Sequence, residues 1–110
     1  MSETGGKVLW TEAAVLDLEN LARFIAADSP VNARKVLARL KLKAESLESS
    51  PHRGRIVPEL AGCGLLRWRE LIVRPYRLVY RIDGKRVYIL AVLDSRRDLE
   101  DVLLERIVRV

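Results

Sequence analysis

The sequence predicts an α+β domain: an antiparallel helical hairpin packed on a small, mainly antiparallel β-sheet, with a C-terminal helix. Three observations predict it. Two segments with apolar residues at helical spacing are separated only by Ser29-Pro30, and so short a break folds the second helix back along the first. From Tyr76 to Leu93, two alternating segments are joined by Asp83-Gly84, a dipeptide suited to the positive φ angles of a type I′ turn. The helical segments precede the hairpin-linked strands instead of alternating with them, which is the α+β order.

A chain of 110 residues is read as one domain, 1–110, with residues 1–6 as a flexible start. Lys7 to Trp10 reads as a first strand. Thr11 can cap a helix, with Glu12 in the first turn facing the positive end of the dipole. Ala14, Leu18, Leu21 and Ile25 then recur at helical spacing, and this helix ends near Asp28. Ser29 caps the second helix, with Pro30 at its first position, where a missing N–H costs nothing. Ala33, Val36, Leu37, Leu40, Ala44 and Leu47 form its buried stripe, and Pro51 stops it. Residues 51–65 read as a loop punctuated by Gly54, Pro58, Gly62 and Gly64. Leu66 to Val73 reads as a strand, and Pro75 marks a turn. On the next strand Tyr76, Leu78, Tyr80 and Ile82 lie on one face, with Arg77, Val79 and Arg81 on the other. Val87 to Leu93 is the return strand. Ser95 or Asp98 caps a last helix whose apolar side is Leu99, Val102, Leu103 and Ile107. The hairpin is expected on one face of the sheet, leaving the other to carry arginines.

Size and charge narrow the function. One core of this size holds no deep cleft between domains, so a site is a shallow groove or an exposed face. The formal charge is +5, and residues 51–81 supply it. Arg53, Arg55, Arg67, Arg69, Arg74, Arg77 and Arg81 stand there against Glu59 and Glu70, seven minus two. Such a stretch favours an anionic partner, nucleic acid or an acidic protein segment; the plainer reading is a solvated strand face. Cys63 stands alone, so no intrachain disulfide forms and a reducing compartment is expected. Residues 1–7 do not read as a signal peptide, and no apolar run approaches a membrane span. The expected location is cytoplasmic.

Few residues offer catalysis. With one His and one Cys, and neither H-E-x-x-H nor C-x-x-C, no metal and no cofactor are expected. His52 reads as a surface histidine in the Pro-Gly loop, Cys63 as a loop residue, and Asp98, Glu100 and Asp101 as acids at a helix start. Tyr76, Tyr80, Trp10 and Trp68 read as packing residues. The arginines remain. Arg77, Arg81 and Arg97 can stabilise developing negative charge, but metal-free RNA cleavage also needs a proton-transfer group, and arginine is a poor one.

The helical hairpin at Ser29-Pro30, G-R at 54–55, R-E-L at 69–71, Y-R-L-V-Y-R at 76–81 and S-R-R-D at 95–98 together resemble the RelE/ParE superfamily of bacterial toxins from type II toxin–antitoxin systems, over Trp10 to Arg106. The resemblance implies two antiparallel helices against a small sheet. It also implies one of two activities. RelE-like members cut mRNA in the ribosomal A site without a metal; Arg77 and Arg97 match two of their arginines. Their lysine positions fall near Trp68 and Glu70, their tyrosine position near Leu103, and Asp94 stands where many relatives carry histidine. A leucine moves no proton, and Glu70 has the wrong charge for a phosphate. ParE-like members bind DNA gyrase and halt replication. The W-R-E-L and P-Y-R-L-V-Y-R segments are similar to theirs, so the chain reads as closer to ParE. The resemblance further implies a cognate antitoxin with an acidic flexible segment, for which Arg69, Arg77 and Arg81 are the candidate contacts. Arg96 and Arg97, at the root of the C-terminal stretch, are the candidate target-binding residues; the plainer reading is that they flank the last helix. A stand-alone nucleic-acid-binding module is the remaining reading, and it predicts a steep salt dependence of affinity.

Overall fold

A computed structural model of the chain describes residues 7–96 and 100–109. The expected flexible start at 1–6, Arg97, the Asp98 cap and Leu99 of the last helix's apolar side lie outside the described residues. The order is β1 (Lys7–Trp10), α1 (Glu12–Ala26), α2 (Pro30–Glu45), β2 (Arg55–Ile56), α3 (Pro58–Ala61), β3 (Trp68–Val73), β4 (Tyr76–Asp83), β5 (Arg86–Asp94) and α4 (Glu100–Arg109). Two single 3₁₀ turns, Ser46–Glu48 and Pro51–Arg53, link α2 to β2.

Both helix starts are capped as expected. The Thr11 hydroxyl accepts from the Ala14 N–H at 3.2 Å and Ser29 Oγ from the Asn32 N–H at 3.1 Å. Thr11 Oγ1 also donates to the Ile89 carbonyl at 3.0 Å, tying the start of α1 to β5. The sheet order is β1-β5-β4-β3-β2. β5–β4, β4–β3 and β3–β2 pair antiparallel, whereas β1 joins β5 in parallel. The α1–α2 hairpin is the crossover between β1 and the rest of the sheet, and it packs on one face. There Ala14, Leu18, Val36, Leu40, Ala44 and Leu47 meet Leu71, Val73, Tyr76, Leu78, Tyr80 and Ile89.

The second face departs from expectation, because it is not left to the arginines. Val57, Leu60 and Leu103, from the β2–α3 segment and α4, cover Trp68, Val79, Ala91 and Leu93 in a second apolar cluster. α4 is amphipathic and cannot leave Leu103 in water, so its apolar side takes the nearest apolar sheet surface. The segment 51–65 is likewise more than a loop. Pro58 starts α3, and Arg55–Ile56 adds a short edge strand to β3. The proline that punctuates a loop also suits the first turn of a helix. β3 begins at Trp68, two residues later than expected. β5 carries an irregularity opposite Val79 and Tyr80, so Leu90 sits outside strict alternation. Ser95 does not cap α4; its hydroxyl donates to the Pro75 carbonyl at 2.8 Å.

Candidate functional site

Arg77 lies on the second face, between β3 and β5, and is buried. Its register partner on β3 is Ile72, so Glu70 is its diagonal neighbour on the same face. Arg77 Nε donates to Glu70 Oε1 at 2.6 Å. Its two terminal nitrogens donate to the two oxygens of Glu59, both at 2.7 Å. The second oxygen of Glu70 accepts from Arg55 Nε at 2.7 Å. The only two carboxylates in residues 51–81 are thus the two that hold Arg77. Glu59 reaches it because α3 lays that side chain over the sheet. Hydrogen bonding from Arg77 holds the Glu59 carboxyl below its ordinary range, and the same bond to Glu59, with that to Glu70, keeps Arg77 protonated. The side chain of Glu70 is 0% exposed.

The other candidate arginines are spread, not clustered. Arg69 pairs with Tyr80, a residue of the helix-side core, so it faces away from Arg77 and Arg81. Its guanidinium donates to the Gly54 carbonyl, just before β2, at 2.7 Å. Arg81 sits in a row with Trp68 and Tyr88, its guanidinium carbon 5.7 Å and 4.7 Å from their ring centres. It also lies 3.4 Å from Asp83. Arg96 is exposed and folds back on Asp94. Arg97 is outside the described residues. His52 and Cys63 are exposed, and the Cys63 thiol is pushed up by its hydrogen bond to Glu100. Among the described residues no group of three His, Cys, Asp or Glu could hold a metal ion.

Two sets of contacts escaped sequence reasoning. Tyr80 Oη donates to the Pro51 carbonyl at 2.6 Å and accepts from the Gly54 N–H at 3.0 Å. A Cβ on residue 54 would sit 2.6 Å from the Glu70 carbonyl oxygen and 2.6 Å from Tyr80 Oη, so only glycine fits. The Arg106 guanidinium donates to both oxygens of Asp17, at 2.9 and 2.8 Å, and Asp17 also accepts from the Val92 N–H at 2.9 Å. This joins α4 to α1 and β5. Pairs so distant in sequence leave no local pattern. Glu59 did leave one, as one of two acids among seven arginines. A further feature is a groove of about 470 Å³ between α1, α2 and β1, lined by Trp10, Val15, Leu18, Ala22 and Leu37 and rimmed by Glu19, Lys41 and Glu45.

Comparison with known proteins agrees with this architecture. The family model described as the ParE toxin of the type II toxin–antitoxin system parDE matches residues 8–99. Toxin RelE2 of Caulobacter vibrioides is 33% identical over 92 residues, 83% of this chain and 97% of that protein. Toxin ParE3 of the same organism is 32% identical over 95 residues, 86% and 91% of the two chains. The solved chromosomal ParDE toxin–antitoxin system from P. aeruginosa superposes with a TM-score of 0.65 at 21% identity, covering 84% of this chain and 98% of the other, a likeness of fold. The chain therefore belongs to the ParE toxin family, within the RelE/ParE superfamily of type II toxin–antitoxin toxins.

Proposed function

We propose that this toxin acts by binding DNA gyrase, with no chemistry of its own, and that a cognate antitoxin with an acidic flexible segment neutralises it in the cytoplasm. The burial of Arg77 carries this reading. An arginine that stabilises phosphate charge must meet the phosphate, and here three of its nitrogens already serve Glu59 and Glu70. The two positions where the resemblance implies RNA-binding lysines, near Trp68 and Glu70, are buried as well. Arg96 and Arg97 are then the target-binding residues. Arg69 and Arg81 receive the acidic antitoxin segment, while Arg77 contributes by holding β3, β4 and α3 in place. Because Arg69 and Arg81 lie on opposite faces, a segment reaching both passes over the β2 edge.

The 33% identity to a toxin named RelE2 favours a second reading, a ribosome-dependent mRNA endoribonuclease using Arg77 and Arg97. Plasmid supercoiling by gyrase with the purified chain added, with and without antitoxin, separates the two. Inhibition that antitoxin reverses supports the gyrase reading. No inhibition at large molar excess, with cleavage of ribosome-bound mRNA, replaces it with the second.

A further inference from the structure

The corner of the sheet at the β4–β5 turn gathers three cations. Lys7 opens β1 and is the register partner of Arg86 at the start of β5. The Lys7 N–H donates to the Lys85 carbonyl at 3.0 Å, so the backbones of all three residues adjoin. All three side chains are exposed. None of them forms an ion pair among the described residues. Like charges directly across two strands repel. Lys7 by itself suits an edge strand, where a lysine discourages unwanted pairing. Arg86 lies on an internal strand and needs no such protection. Asp83 is the register partner of Arg86 on β4 and lies 3.4 Å from Arg81.

We propose that Lys7, Lys85 and Arg86 form a contact site for the phosphate backbone of duplex DNA. The charge is complementary, and neighbouring strands hold Lys7 and Arg86 about 4.8 Å apart at the backbone, on long side chains that adapt to phosphate spacing. The surroundings disfavour an apolar peptide. None of the exposed large apolar side chains belongs to β1, β5 or the turn between β4 and β5, so a peptide anchored by apolar side chains finds no hold there, and an acidic segment is the rival the test must separate. DNA contact by the chain alone does not rest on the gyrase reading. Its use in a gyrase complex does, since gyrase keeps duplex DNA close at hand.

The test is fluorescence anisotropy of a labelled 20-base-pair duplex with the full chain, between 50 and 200 mM KCl, with no gyrase present. Three neutralised phosphates give a slope of about −2.7 in log K against log salt, a loss of roughly 40-fold across that range. The double substitution Lys85→Gln with Arg86→Gln leaves one cation and a slope of about −0.9, at an unchanged melting temperature. Should that variant fold poorly, Lys7→Gln alone lowers the slope by about 0.9. No binding at 50 mM salt overturns the proposal, as does a slope the substitutions leave unaltered. A poly-glutamate peptide of equal charge that outcompetes the duplex also overturns it, in favour of an acidic protein segment. Gyrase inhibition that survives in a DNA-contact-deficient variant overturns only the use of the contact in the gyrase complex.

Discussion

Replacing Arg77 by leucine tests whether the arginine serves the fold or an anionic target. The substitution removes three charged hydrogen bonds of 2.6–2.7 Å at once. Glu59, whose side chain is 32% exposed, turns to water at little cost. Glu70, with a side chain 0% exposed, keeps a single partner, Arg55, which is itself 58% exposed. Stranding a buried carboxylate in this way costs about 3–5 kcal/mol. At roughly 4 °C per kcal/mol for a domain of this size, the melting temperature falls by roughly 12–20 °C. The decisive companion is the double variant with Glu70→Leu as well. It removes the stranded charge and extends the apolar cluster of Trp68, Val79 and Leu93, so it melts above the single variant. Thermal and urea unfolding by circular dichroism measure both. A loss below about 1 kcal/mol for Arg77→Leu, or a double variant weaker than the single one, refutes the view that the network holds the second face together.

Other expectations follow from the same contacts. Gly54→Ala destabilises the domain by about 1–3 kcal/mol, because the new methyl meets the Glu70 carbonyl and the Tyr80 ring and the Glu70 backbone cannot retreat; a lowered melting temperature reads it. The φ of −80° at Gly54 means that space, not backbone freedom, sets the requirement. Because Arg77 lowers the Glu59 carboxyl in the folded state, its contribution is full above the unfolded value of about 4.3 and is lost as pH falls through the lowered folded value. Urea midpoints between pH 3 and 7 therefore drop at the acid end in the parent chain, and Glu59→Gln flattens that drop. Asp17→Ala frees Arg106 and leaves the Val92 N–H without its acceptor, so hydrogen exchange in α4 quickens more than in β4; unchanged protection of α4 counts against that anchor.

Local chemistry made most of the elements legible. Thr11 and Ser29 announced two helix starts, and Asp83-Gly84 announced a hairpin, because caps and tight turns draw on neighbouring residues alone; the turn itself is centred one residue later, on Gly84-Lys85, with a positive φ at Gly84 alone and not the two of a type I′ turn. The alternation of Tyr76, Leu78 and Tyr80 assigned the helix-side face of β4 correctly. What stayed hidden depended on who covers whom. The face carrying Arg77 looked open because nothing local reveals that α3 and α4 return to it. Arg69 and Arg81 read as partners because both are arginines on strands, yet the register of β3 against β4 turns them to opposite sides. Of the candidate site, the buried state of Arg77 is implicit in the presence of Glu59 and Glu70, but Glu59 lies in a segment whose Pro and Gly residues read as loop, which gives no sign that it returns to the sheet.

The parallel pairing of β1 with β5 has a consequence for the chain during its own synthesis. Thr11 waits for Ile89, 78 residues away, before its hydroxyl finds the carbonyl it holds in the finished domain. At ~5–20 residues per second, a ribosome takes roughly 4–16 s to make that stretch. For those seconds the sheet beneath the helical hairpin is incomplete, and part of its apolar stripe is open to unwanted neighbours. Neither faces of the sheet nor the α4 anchor exist until β5 has emerged. The finished surface of the domain thus arrives late and all at once.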